Sequence, residues 1–186
     1  MIIKIPDILY HGTISEFTSI DVSKGKPYKD FGKGFYAAIK NSHAASFARL
    51  VKRDTIIRLE RTGRPHSHIQ SRIYTLSVNT SMLNIPHFHV KYFPVPDLEW
   101  VDFVITNRES RGKPHDYDIV IGPTADDDTA TCLDAYRDGL YGEVGSHDAR
   151  ATLLRNLEPD NLPIQVYFGT PDAARTISIK KVEILP

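Results

Sequence analysis

The chain has 186 residues, 41% of them hydrophobic, enough for one substantial core and for a single domain over residues 1–186. Lysine plus arginine and aspartate plus glutamate both total 23, so the formal net charge is zero, which argues against a protein held on nucleic acid by overall charge alone. A single cysteine, Cys132, excludes an internal disulfide and points to a reducing, cytoplasmic setting; no apolar run approaches membrane-spanning length, and no basic-then-apolar leader precedes the first strand.

Ile2–Tyr10 reads as a first strand, β-branched and apolar, with Pro6 making its start an edge. Thr13–Asp30 is polar loop with room for one helical turn, anchored by Phe17 and Ile20. Gly34–Ile39 reads as the second strand. Asn41 or Ser42 then caps a helix in which Ala44, Ala45, Phe47, Ala48, Leu50 and Val51 share a buried face. The Lys52–Arg61 run with Arg64 and Arg72 is the one basic patch and reads as a solvated helix or loop face.

Ile73–Val78 alternates as a half-buried strand should, and Met82–Ile85 extends or follows it. Pro86, Pro94 and Pro96 bound an irregular stretch that buries Phe88, Tyr92 and Phe93. Asp97 starts an amphipathic helix from Leu98 through Ile105, anchored by Trp100, Phe103 and Val104 and ending near Asn107–Arg108. Tyr117–Ile121 is apolar enough for a central strand, stopped by Gly122-Pro123. Helices follow over Thr129–Tyr136, from His147 or Asp148 through Leu157, and over Pro171–Arg175, with strands at Ile164–Phe168 and Ile177–Leu185. This order predicts an α+β fold with a mixed or largely antiparallel sheet, without regular βαβ alternation.

Two stretches carry candidate chemistry. His11 ends the first strand beside Gly12, where a missing Cβ lets a planar ring approach the backbone while the imidazole reaches a ribose hydroxyl. A strand-end turn cap explains a lone His-Gly equally well. Gly32-Lys33-Gly34 permits a tight bend, after which alternation sends Phe35 and Tyr36 to opposite faces, one to the core and one to a cleft. That spacing matches neither a dinucleotide fingerprint nor a P-loop. Arg108 offers a bidentate fork to a pyrophosphate, with a salt bridge to Asp118 or Glu109 as the alternative. Asp126–Asp128 reads as a solvated acidic turn, and Cys132 as a buried helix residue. The pairs His66/His68 and His87/His89 lack a cysteine or carboxylate set, so no metal is expected.

Tyr10-His11-Gly12-Thr13 resembles the first-strand histidine motif of the poly- and mono-ADP-ribosyltransferase superfamily. Gly32-Lys33-Gly34-Phe35-Tyr36 resembles its second motif, and the alanine-rich helix from Ser42 follows as it does there. Leu98–Phe103, Thr106–Arg108, Tyr117–Pro123, Ala125–Asp127 and Gln165–Phe168 are similar to stretches of uncharacterised bacterial proteins assigned that fold. The resemblance implies a split, mixed or antiparallel sheet flanked by helices, with NAD as co-substrate. It also implies transfer of ADP-ribose to an acceptor with release of nicotinamide. His11 would orient a ribose, Tyr36 would stack on nicotinamide, and Gly12 and Thr13 would add backbone and hydroxyl contacts. Gly34 and Phe35 would complete the cofactor turn, and Arg108 would face the pyrophosphate.

Gln165 stands where the superfamily usually has a glutamate. Its amide hydrogen-bonds a ribose hydroxyl but supplies neither a carboxylate base nor a negative charge beside a cationic ribose. Three outcomes follow: positioning within a transferase, capture of the ribose by water in an NAD glycohydrolase, or a non-catalytic module that binds NAD or a partner. The implied acceptor is a macromolecule, protein before nucleic acid. Small bacterial members of the superfamily add the expectation of a cytoplasmic toxin held in check by an inhibitory partner protein.

Overall fold

Among the described residues the first strand begins after Pro6, whose missing N–H cannot join a ladder; the Ile2–Lys4 part of the expected strand lies outside the described residues. The structure, a computed structural model, describes residues 5–83, 88–125, 127–157 and 162–186. Strand β1 is Ile8–Thr13 and runs three residues past the expected end at Tyr10, because its pairing with β3 (Arg72–Val78) runs from Ile8↔Ser77 to Thr13↔Arg72, which puts His11 and Gly12 inside the strand and not at its end. The other strands are β2 (Phe35–Ala38), β4 (Val90–Tyr92), β5 (Ile119–Pro123), β6 (Ile164–Phe168) and β7 (Ile177–Ile184). They form one seven-stranded sheet in the order β4-β5-β6-β2-β1-β3-β7. Every pairing is antiparallel except β4 with β5, so the fold is α+β with a mixed sheet.

Six helices among the described residues flank the sheet: α1 (Asn41–Arg61), α2 (Thr80–Leu83), α3 (Leu98–Glu109), α4 (Asp127–Arg137), α5 (His147–Asn156) and α6 (Pro171–Ala174). Helix α1 runs ten residues past Val51, so the basic stretch is its second half. Its cap position is Lys40, which makes no side-chain cap bond, in place of the expected Asn41 or Ser42. Met82 and Leu83, expected to extend or follow the strand, fall in α2, and the remainder of that expectation, Asn84–Ile85, lies outside the described residues with Pro86 and His87. The proline-bounded aromatic stretch contains β4, which the prolines concealed. There Phe93 is buried, but Tyr92 is 39% exposed. Helix α3 begins as expected: the Asp97 carboxylate accepts from the Trp100 N–H at 2.9 Å.

Two apolar clusters share the sheet, one on each face. Trp100, Val104, Leu133, Tyr136 and Leu153 of α3, α4 and α5 pack with Val120 and Tyr167 on one face. Leu9, Phe35, Tyr74, Leu76, Ile119 and Phe168 form the other. Trp100 is fully buried and its indole N–H donates to the Pro123 carbonyl at 2.7 Å, so α3 is pinned to the end of β5. Helix α1 closes the first face over β1 and β3, where its Ala44, Ala45 and Ala48 are small enough for the backbones to approach closely. A Cβ on Gly12 would lie 1.8 Å from the Ala44 carbonyl oxygen. Gly12→Ala should therefore force α1 off β1 and lower the unfolding free energy in urea by about 3 kcal/mol or more, at the upper end of overpacking costs. Loss below about 1 kcal/mol would show that the contact gives way without strain.

Candidate functional site

The sheet is interrupted at one place. β1 and β3 share six register pairs and β2 and β6 share four, but β1 and β2 share only Tyr10↔Ala38. Beyond that pair the strands part, at the level of Gly12 on one side and Tyr36 on the other. What spans the gap is a side chain: His11 Nδ1 lies 2.7 Å from the Tyr36 carbonyl oxygen. Because a carbonyl only accepts, Nδ1 carries the proton. Burial lowers the pKa of His11, outweighing the upward pull of the Tyr36 carbonyl, so the ring is neutral near pH 7 and Nε2 presents a lone pair. No second hydrogen bond to the ring exists among the described residues.

Alternation decides what else faces the gap. Residues paired across a sheet share a face, so Tyr10, Gly12, Ala38 and Tyr36 lie on the helix-covered side with Gln165, which pairs with Ala38. His11 points to the opposite face. There it stacks on Phe35 (ring centroids 4.5 Å) and meets the edge of Phe17 at 5.7 Å, while Phe17 itself stacks on Tyr74 at 3.9 Å. The His11, Tyr36 and Gln165 side chains therefore do not converge in one concavity; His11 and Tyr36 meet through imidazole and backbone. Phe35 and Tyr36 do go to opposite faces as alternation demands, but both are packed.

Tyr36 is expected to stack on nicotinamide. Its ring packs against Phe31 at 6.1 Å and Tyr167 at 5.1 Å, and its hydroxyl donates to the Gly32 carbonyl at 2.7 Å while accepting from the Phe31 N–H at 3.0 Å. Burial, reinforced by the nearby Asp30 carboxylate, raises its pKa well above that of a free phenol, so it stays protonated. The side chain thus cross-braces the Gly32–Gly34 bend. Gly34 belongs to the same brace: a Cβ there would lie 2.3 Å from the Tyr167 ring. The Tyr167 hydroxyl donates to the Lys33 carbonyl at 3.0 Å. Thr13 keeps its hydroxyl at the far end of β1, where it accepts from the Ser15 N–H at 3.0 Å.

Arg108, offered to a pyrophosphate by the sequence, is engaged elsewhere. Its Nε donates to Asp30 Oδ1 at 2.7 Å, and Asp30 Oδ2 accepts from the Ala125 N–H at 2.7 Å. The salt-bridge alternative holds, with Asp30 as partner instead of Asp118 or Glu109. Asp118 accepts from the His89 N–H and the Thr170 hydroxyl, both at 2.9 Å, and ties β5 to the loops around it. Asp30 is the residue that sequence reasoning passed over. Its signal was a carboxylate directly before Phe31 in a bend that the apolar core must enclose.

Among the described residues no group of histidine, cysteine and carboxylates has metal-binding geometry, and His66 and His89 pair instead with Glu60 and Asp116. His87 and Asp126 lie outside the described residues. Cys132, expected to be buried, is half-exposed, with Sγ 3.5 Å from the Asn156 carbonyl. No helix of the described residues is long and apolar enough to cross a membrane. Two surface hollows lie away from the gap. One of about 410 Å³ sits between the Thr18–Val22 loop, α6 and β7. The other, about 250 Å³, sits between α3 and Pro114–Tyr117. Neither is lined by His11, Tyr36 or Gln165.

A family model described as a protein of unknown function (DUF3990) matches residues 8–179, so the chain belongs to that family. No curated protein and no solved structure matches it.

Two measurements test this arrangement. The folded protein holds His11 neutral, whereas the unfolded chain takes up a proton near pH 6.5. Stability that His11 contributes is therefore complete above about pH 6.5 and is lost as pH falls below it. Urea midpoints at pH 7.5 and 5.5 should drop more in the wild type than in His11→Gln; equal drops would show that the ring titrates normally. Asp30→Ala leaves a largely buried guanidinium and the Ala125 N–H unpaired, and should cost about 3 kcal/mol. A cost under about 1 kcal/mol would show that the pair is solvated.

Proposed function

We propose that this member of the DUF3990 family is an NAD-dependent ADP-ribosyltransferase-like enzyme with NAD bound at the gap between β1 and β2. The observation that carries the reading is the neutral His11 at that gap, held through Nδ1 by the Tyr36 carbonyl, with Nε2 making no hydrogen bond to the described residues. An acceptor lone pair fixed by its own second nitrogen suits a ribose hydroxyl, which donates. Strands that part beyond Tyr10↔Ala38 leave β1 without a β2 partner at Gly12, which pairs with Ile73 on its other side, and backbone groups on such an edge can hold a carboxamide by paired hydrogen bonds.

In this reading His11 orients the ribose, while Gly12 and Thr13 contribute backbone and hydroxyl. Tyr36 and Gly34 set the shape of the wall opposite them. Gln165, half-buried beside Ala38, lies on the sheet face away from the His11 ring, so in this reading it contributes only if NAD passes through the gap to that face. The glycosidic bond between ribose and nicotinamide breaks with the electron pair leaving on the nicotinamide nitrogen. The oxocarbenium carbon left behind is taken by a nucleophile of the acceptor, whose proton goes to solvent. The acceptor is a macromolecule, and the toxin reading with an inhibitory partner protein follows from the same resemblance.

A second reading is favoured by Gln165 itself, which offers no carboxylate to activate an acceptor. Water then captures the ribose, giving NAD hydrolysis, or turnover is absent and the gap binds NAD or a partner.

Incubation with NAD labelled in the adenylate and in the nicotinamide, with and without cell extract, separates these outcomes. Transfer predicts nicotinamide release together with labelled macromolecule; release alone indicates hydrolysis; calorimetric binding without release indicates a module. His11→Ala should lower release about tenfold, the value of one hydrogen bond to the ribose. Gln165→Ala should lower it too, with Gln165→Glu at or above the wild-type rate. Neither binding nor release by the folded wild-type protein would overturn the proposal.

A further inference from the structure

The net charge of zero conceals a strong separation of charge. Residues 40–72 hold eight lysines and arginines against two acids, whereas residues 127–157 hold six acids against three bases. Helix α1 belongs to the first segment and packs over β1 and β3. Helices α4 and α5 belong to the second and pack over β5 and β6 on the same sheet face. One half of that face is therefore cationic and the other anionic, with the gap between β1 and β2 in the middle.

The cations are presented outward. The buried residues of α1 are Ala44, Ala45 and Ala48, all in its first half, and none lies between Val51 and Arg61. The exposed side of the helix carries Arg49, Arg53, Arg58 and Arg61, with Lys52 half-buried and Arg64 just past the end. Arg53 pairs with Asp54, and Glu60 is taken by His66. Arg49, Arg58, Arg61 and Arg64 have no ion pair among the described residues. Arg58 and Arg61 in the last turn also offset the helix dipole, but Arg49, Lys52 and Arg53 lie too far from either end for that role. Phe47, three residues beyond Ala44 and on the flank of Arg58 and Arg61, is 47% exposed near the helix end closest to Gly12.

We propose that the outer face of α1 binds the phosphate backbone of a nucleic acid. A helix of 21 residues is about 31 Å long, and at 3.6 residues per turn Arg49 and Arg53 lie on one flank of its outer side and Arg58 and Arg61 on the other, so cations border that side along its length. Arginine predominates, and its planar fork grips phosphate oxygens in pairs. Phe47 adds an exposed ring on which a base can stack. The anionic α4–α5 half repels the same ligand, so binding is confined to one side of the molecule. The assignment is independent of NAD chemistry and is measured without NAD, so it and the transferase reading can fail separately. Where both hold, the nucleic acid lies beside the gap and becomes the acceptor.

The test is fluorescence anisotropy with a labelled 20-nucleotide single strand and a labelled 20-base-pair duplex. Binding is expected at 50 mM salt to at least one probe. For four phosphates neutralised on the single strand, affinity should fall about 50-fold by 200 mM. Arg53→Glu/Arg58→Glu, both at exposed positions, should weaken binding at least about tenfold with an unchanged circular dichroism spectrum. Lys180→Glu/Lys181→Glu on β7 changes net charge equally and should leave affinity within about twofold, since α1 and not total charge is the ligand's site. Absence of binding to both probes, or equal loss in the two double variants, would overturn the proposal. Polyglutamate competing as well as the single strand would also overturn it, assigning the face to an acidic protein.

Discussion

The junction between β1 and β2 rests on a donated proton. Where the backbone ladder stops after Tyr10↔Ala38, the His11 imidazole takes over and bonds the Tyr36 carbonyl across the gap. Burial among Phe35, Phe17 and Tyr74, not the bond itself, keeps the ring neutral. A protonated His11 would still donate from Nδ1 but would place an unpaired charge in an aromatic box. One pair of strands can thus part without the sheet coming apart, and a hydrogen-bonding lone pair is left at the point of parting.

Around that junction the fold is braced by hydrogen bonds from buried side chains to backbone. Tyr36 and Tyr167 clamp the Gly32–Gly34 bend through the Gly32 and Lys33 carbonyls. His115 adds a bond from Nε2 to the Phe31 carbonyl at 3.0 Å. Asp30 then joins the bend to the end of α3 through Arg108 and to the end of β5 through Ala125. A carboxylate in such surroundings is costly unless both oxygens are used, and both are. The second strand is consequently held from three directions while it contributes only one rung to the first. Rigidity on the β2 side and a missing ladder on the β1 side are complementary: a gap keeps its shape only if its walls are fixed independently.

Charge is organised on a longer scale than these contacts. The basic α1 and the acidic α4–α5 segment lie on one face of the sheet with the gap between them. Neutrality overall keeps the chain from adhering to polyanions indiscriminately, while the local surplus on α1 acts within a Debye length of about 8–10 Å.

The amino-acid order by itself determined the element types wherever a local signal was strong. Ile164–Phe168 and the Asp97-capped start of α3 are read directly because alternation, a capping carboxylate and an apolar face act over a few residues. The Gly34 bend just before β2 was legible for the same reason, but His11 and Gly12, expected at a strand end, lie inside β1, because pairing with β3 carries that strand on to Thr13. β4 was not, since three residues between prolines hold a strand only because β5 offers a parallel edge. The length of α1 was obscured by its charges, which local hydropathy reads as loop. Which face each candidate side chain occupies was decided by the tertiary structure alone. Register between strands distant in sequence put Gln165 with Tyr36 and turned His11 away from both. Arg108 likewise found Asp30 across 78 residues of chain. Periodicity tells a residue that it alternates; only its partners across the sheet tell it which side is which.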